Sequence, residues 1–184
     1  MLDRYLITHC SPTLASLKTA NLFRLSYGSE RELAHQMGIW GSLLEDKGVT
    51  LTLLSRKKGT ALIYVCRKGR LQADLRKPGV ARFLKGYGYT CTDVNRALAR
   101  LKERIAAGGG FPHEIGIFLG YPLEDVTGFI HNSGQNCKCA GCWKAYCNAD
   151  EARRTFAKYK KCTAIYTRLW REGRRSVRQL TVAA

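Results

Sequence analysis

Four cysteines fall within eleven residues, as Cys137-x-Cys139-x-x-Cys142-x-x-x-x-Cys147. The two-residue gap between Cys139 and Cys142 is the spacing that lets two thiolates point at one metal ion, as in zinc knuckles. A second such pair is missing. A strand over Trp143–Tyr146 would put Cys142 and Cys147 on opposite faces. That leaves Cys137, Cys139 and Cys142 to converge, with His131 or a distant Cys or His as fourth ligand. Three ligands and an open position suit Zn or a labile Fe. Lys138 and Lys144 are adjacent to these cysteines, and their charge favours thiolates, hence a thiol redox or sensing role, while opposing a divalent cation. The plainer alternative is a set of loop and core cysteines without special chemistry.

A second group of candidates surrounds an apolar run. His113 and Glu114 enter Ile115–Leu119, which reads as a short buried strand. A histidine and an acid at a strand mouth can serve as acid–base or metal ligands, although neighbours in a strand face opposite sides. Tyr121-Pro122 follows the C-terminal end of that strand, where ligands collect in open α/β sheets. Lys18 and Asn21 flank a helix-to-strand turn of similar kind. A small-molecule or metal site is therefore expected from Lys18, Asn21, His113, Glu114, Tyr121 and Lys144 beside the Cys137–Cys142 loop. His9 and Cys10 are not a nucleophile pair, because neighbours on a helix point about 100° apart. Cys10 near the start of a following helix would have a lowered pKa. Gly108-Gly109-Gly110 lacks the Gly-Lys-Ser/Thr ending and the G-x-G-x-x-G spacing, and reads as a flexible link rather than a phosphate loop.

The elements that must position these residues follow from periodicity. Asp3 to His9 reads as a helix stopped by Ser11-Pro12, with Pro12 opening a second helix through Lys18. Asn21–Tyr27 alternates as a strand. Ser29-Glu30-Arg31-Glu32 is a capping box, and Leu33, Met37, Trp40 and Leu44 form one helical face ended by Gly48. Val49–Ser55 and Thr60–Cys66 are β-branched runs joined by Arg56-Lys57-Lys58-Gly59, a hairpin signal. Leu71–Leu75 and Val80–Lys85 read as short helices around Pro78. Thr92 or Asp93 caps a helix with Val94, Leu98, Leu101 and Ile105 on one face. Pro122 sits at a first helical position, with Glu124 and Asp125 suited to the helix dipole. Asp150 opens the last helix, whose stripe is Ala152, Phe156, Tyr159, Thr163, Tyr166 and Trp170. The fold class is α/β, or mixed α+β: a central mixed sheet of about five strands, with one hairpin, covered by helices. Residues 1–172 are expected to form a single globular domain, followed by a basic tail, 173–184, with Gly108–Gly110 the one place where two subdomains could join.

The 184 residues carry 31 Lys plus Arg against 14 Asp plus Glu. The excess sits in two blocks: residues 52–90 and 153–178 each hold ten bases against one acid. Such blocks suit a polyanion-facing surface: nucleic acid (RNA or DNA), an anionic membrane, or phosphorylated ligands. The candidates are Arg56, Lys57, Lys58, Arg153, Arg154, Lys160, Lys161, Arg174 and Arg175. A solubilising cationic surface is the alternative. No apolar run approaches about 18 residues, so no membrane-spanning helix is expected. Met1-Leu2-Asp3-Arg4 places an acid where a signal peptide carries base, and no apolar stretch of signal length follows. A cytoplasmic protein with its eight cysteines as thiols is expected.

Three stretches carry a resemblance. They are His9-Cys10-Ser11-Pro12-Thr13-Leu14 with Lys18 and Asn21-Leu22-Phe23; His113-Glu114-Ile115-Gly116 with Phe118-Leu119-Gly120-Tyr121-Pro122 and Asp125-Val126; and Gly141-Cys142-Trp143-Lys144 with Tyr146. On these the chain resembles a bacterial family of about this length known only as a domain of unknown function, from near residue 5 to near residue 165. The resemblance implies no activity. It leaves the basic segment after Trp170 outside, and Ala145 stands where a larger β-branched residue is expected.

Overall fold

A computed structural model describes residues 2–108 and 110–183, so the expectation for Gly109 lies outside the described residues. The chain forms two compact units, Met1–Leu71 with Cys162–Ala184, and Gln72–Lys161. The boundaries fall within helices and not at Gly108–Gly110.

The first unit opens with α1 (Leu2–Leu14), which runs through Pro12 instead of stopping before it. Leu2, Leu6, Ile7, Cys10 and Leu14 are buried in the core of this unit, and that burial outweighs the hydrogen bond that proline removes. The second helix expected from Pro12 to Lys18 is therefore absent. β1 (Ala20–Ser26) follows, then α2 (Glu30–Glu45), capped by the Ser29 hydroxyl as expected. β2 (Val49–Lys57) and β3 (Thr60–Arg67) form the hairpin. Lys57 pairs with Thr60, which leaves a two-residue turn. Lys58 and Gly59 take φ of 47° and 72°, the left-handed pair whose twist matches the flanking strands.

The sheet is three-stranded, in the order β1-β3-β2, and both pairings are antiparallel. This corrects the five-stranded mixed sheet. Phe23, Leu25, Ala61, Ile63 and Val65 face a core shared with α1, Leu33 and Leu44 of α2, and Val177 and Leu180 near the C-terminus. Val177 and Leu180, within the segment read as a tail, thus contribute buried side chains to this unit.

Arg67 ends β3 and is only 3% exposed. Its guanidinium donates to the carbonyls of Thr13 (2.7 Å), Leu14 (2.6 Å), Val182 (2.7 Å) and Lys47 (3.1 Å). Two of these are the last carbonyls of α1, which lack helical donors and sit at the negative end of the helix dipole. Among the described residues no carboxylate pairs with Arg67. Four carbonyls satisfy the buried charge instead.

α3 (Lys68–Leu75) leads into the second unit, which holds α4 (Val80–Lys85), α5 (Val94–Ala107), α6 (Ile115–Phe118), α7 (Leu123–His131), the two-residue strands β4 (Cys139–Ala140) and β5 (Lys144–Ala145), and the first half of α8 (Ala149–Arg171). α9 (Val177–Leu180) closes the chain in the first unit. Asp93 caps α5 through a bond from the Arg96 amide (2.9 Å).

The run Ile115–Leu119 is not the expected strand: Ile115–Phe118 is helix α6, with Leu119 as its C-cap. Its end is a Schellman motif: Gly120, at φ 78°, donates to the Ile117 carbonyl and Tyr121 donates to the Gly116 carbonyl. Pro122 is then the residue before α7, one position earlier than expected. The strand expected over Trp143–Tyr146 shrinks to β5, paired antiparallel with β4. Among the described residues no helix is long and apolar enough to cross a membrane.

Candidate functional site

Asp125 lies in the first turn of α7 and is buried. Its Oδ2 accepts the Trp143 indole N–H (2.8 Å), and its Oδ1 accepts the backbone amides of Tyr146 (2.7 Å) and Cys147 (3.0 Å) and the Cys147 thiol (3.2 Å). Burial pushes the carboxyl pKa up, but the four donors outweigh it and hold it below the ordinary aspartate value. One ionised side chain therefore clamps the β4–β5 hairpin to α7.

Close packing completes the clamp. Tyr121 stacks on Trp143 with centroids 4.9 Å apart, and its hydroxyl donates to the Cys142 carbonyl at 3.1 Å. Trp143 meets Phe156 of α8 edge-on at 4.5 Å. A Cβ on Gly141 would lie 2.2 Å from Phe156, and one on Gly128 would lie 2.6 Å from Tyr146. Both positions admit only glycine without a shift of these rings.

A cavity of about 330 Å³ opens against the clamp. Its walls include Phe111, His113, Tyr121, Phe129, Trp143 and Lys144, with Ala140 and Gly141 from the loop between Cys139 and Cys142. The His113 and Phe129 rings are 5.1 Å apart. The Lys144 ammonium donates to the Gly134 carbonyl (2.7 Å). A larger cavity of about 610 Å³ shares Tyr121, Asp125 and Trp143 as a wall and carries Asp74, Glu124 and Glu151 against Lys77.

Three of the expected ligand residues, His113, Tyr121 and Lys144, thus line one pocket. Glu114 does not join them there. It is 1% exposed and accepts the Tyr89 hydroxyl (3.2 Å) and the Arg104 guanidinium. Burial, followed by the Glu114 charge, raises the Tyr89 pKa. Lys18 and Asn21 belong to the first unit and the others to the second. Asn21 accepts the Thr13 hydroxyl (2.7 Å), and Lys18 is buried with its charge near Cys10.

The expected metal ligands are not gathered. Among the described residues no three His, Cys, Asp or Glu side chains are grouped to hold a metal ion. Cys139 is fixed in the ladder opposite Ala145. Cys142 sits at the apex of a turn closed by the Gly141 amide on the Trp143 carbonyl (3.0 Å), while His131 ends α7. Cys10 is also corrected: it lies inside α1, with no helix start beside it, and burial pushes its pKa far upward. Burial likewise pushes Cys66 up to about 12 and raises Cys162. At Cys147 burial and the bond to Asp125 act in the same direction.

The basic candidates are exposed in both units. Several are neutralised locally: Arg56 by Glu30 (2.5 Å), Arg153 by Asp150 (2.7 Å) and Arg174 by Glu172 (3.0 Å). Lys57 and Lys58 lie at the β2–β3 turn.

Asp125, Phe129, Trp143 and Phe156 were not among the expected site residues. A signal for two of them was present, since Asp125 and Trp143 belong to the second and third stretches that carried the resemblance. Those stretches are the ones that pack on each other here. No curated protein and no solved structure matches the chain. Its residues 6–181, the segment after Trp170 included, match one sequence family, and the chain belongs to it: the family described as protein of unknown function (DUF3793).

Proposed function

We propose that this is a small-ligand-binding protein whose site is the pocket bounded by His113, Tyr121, Phe129, Trp143 and Lys144. The supporting observation is that residues from three separate stretches of chain line one apolar cavity of about 330 Å³. A concave, largely apolar site with a few polar groups is the usual form of a small-molecule site. The Asp125 clamp fixes the Trp143 wall of this pocket against α7. Fragment binding followed by the Trp143 indole N–H and the Gly141 amide tests the reading. Saturable shifts of both signals are expected. A fragment set that leaves both unmoved, or that moves only residues elsewhere, overturns it.

A second reading is polyanion binding, favoured by one face of α8. Arg154, Lys158 and Lys161 are exposed at helical spacing, and among the described residues none has a carboxylate partner. Single-stranded RNA or DNA should then bind with an affinity that falls steeply with salt. Binding that is undetectable at low salt removes this reading.

A further inference from the structure

We infer that the ligand of this pocket is a small aromatic carboxylate, its ring held among Phe111, Phe129 and Trp143 and its charge met by Lys144. The inference rests on the pocket reading above and narrows it.

The first support is an account of the polar groups in the wall. Both oxygens of Asp125 are occupied by four donors. One of those donors is the Trp143 indole N–H. The Tyr121 hydroxyl proton goes to the Cys142 carbonyl and the Gly141 amide to the Trp143 carbonyl. The Lys144 ammonium has three N–H donors, and its one partner among the described residues is the neutral Gly134 carbonyl. The wall therefore offers an unneutralised positive charge, while its single carboxylate is already spent on the fold. A ligand that brings an anion gains a charge-assisted bond there, and one that brings a cation gains none.

The second support is shape. The cavity stands at the small end of ligand sites, which run from roughly 300 to 1,000 Å³, so it admits one or two rings. Five of its lining side chains are rings: Phe111, His113, Tyr121, Phe129 and Trp143. Phe111 is 43% exposed, an uncovered aromatic at the mouth. Flat faces of this kind favour a planar partner in stacked or edge contact. The neighbouring cavity is the useful contrast, because Asp74, Glu124, Asp125 and Glu151 line it against Lys77 and would repel the same anion.

Benzoate and its uncharged analogue benzyl alcohol are the probes, titrated against the full chain at low ionic strength and read at the Trp143 indole N–H. Benzoate is expected to bind about tenfold more tightly, the scale of one added charge-assisted bond. Lys144→Met should abolish that preference by weakening benzoate about tenfold more than benzyl alcohol, and Lys144→Arg should keep the preference. The arginine variant keeps the test open if the methionine variant disturbs the hairpin. Equal binding of the two probes to the unaltered protein overturns the anion inference and leaves the pocket reading standing. A benzoate preference that survives Lys144→Met also overturns it, since the charge is then met elsewhere. If neither probe moves the Trp143 indole, the pocket reading fails and the inference falls with it.

Discussion

The Asp125 carboxylate accepts the indole N–H of Trp143 at 2.8 Å. With its three other donors, that bond joins the first turn of α7 to both ends of β5. A two-residue strand pair has too few ladder bonds to stand by itself, so the hairpin that carries Gly141, Trp143 and Lys144 relies on this carboxylate together with the Tyr121 and Phe156 ring contacts.

Asp125→Asn should lower stability by about 1–3 kcal/mol near neutral pH, because an amide offers one acceptor where the carboxylate offers two. The sign of the pH dependence follows from the depressed pKa. The contribution is fully present above the ordinary aspartate value and is lost as pH falls through the lower folded value. Thermal unfolding of the two proteins at neutral and acid pH should therefore converge on acidification. A gap that widens toward acid would contradict the clamp.

Arg67→Met should cost roughly 2–4 kcal/mol, since it removes one donor from each of four carbonyls, two of them at the end of α1. Arg67→Lys keeps the charge but not the fork and should lie between the two. Urea unfolding monitored by circular dichroism gives the order. Equal stability of the methionine variant and the parent would mean that water reaches those carbonyls.

Gly141→Ala should loosen the hairpin from α8, because its Cβ would meet Phe156 at 2.2 Å. The near-ultraviolet signal of Trp143 should weaken and the melting temperature fall. Phe156→Ala combined with Gly141→Ala should cost less than the sum of the two changes, as residues sharing one contact are not additive. Strict additivity would place the strain elsewhere.

Thiol labelling of the folded protein should be selective. Cys142 and Cys147 are exposed while Cys10 and Cys66 are buried, and burial keeps those two thiols protonated. Mass spectrometry after brief alkylation should find Cys142 modified and Cys10 and Cys66 untouched until denaturant is added. Asp125→Asn should quicken Cys147, because it removes a negative charge that favours the protonated thiol. Early modification of Cys10 would contradict the continuous α1.

Local patterns determined much of this protein. The Ser29 cap, the β2–β3 hairpin, the Asp93 cap and the long amphipathic α8 each lie within a window of a few turns, where 3.6- and 2-residue periods and capping chemistry act directly. Ile115–Leu119 shows the limit of such patterns. A short apolar run has the same hydrophobicity as strand or helix. The signal that separates them was Gly120 followed by Pro122, a helix stop. Pro12 shows the converse, a local stop signal overridden by the burial of Leu6, Ile7, Cys10 and Leu14. The Cys139–Cys142 spacing was compatible with a metal, but where a sulfur points is set by hairpin geometry, which spacing does not encode. Only the tertiary structure brought His113, Tyr121 and Lys144 to one cavity and turned Glu114 away to Arg104. Asp125 looked like a helix-dipole acid, and its four donors come from residues 18 to 22 positions further along the chain. Bonds of that range depend on how α7 and the hairpin pack, and no local window contains both partners.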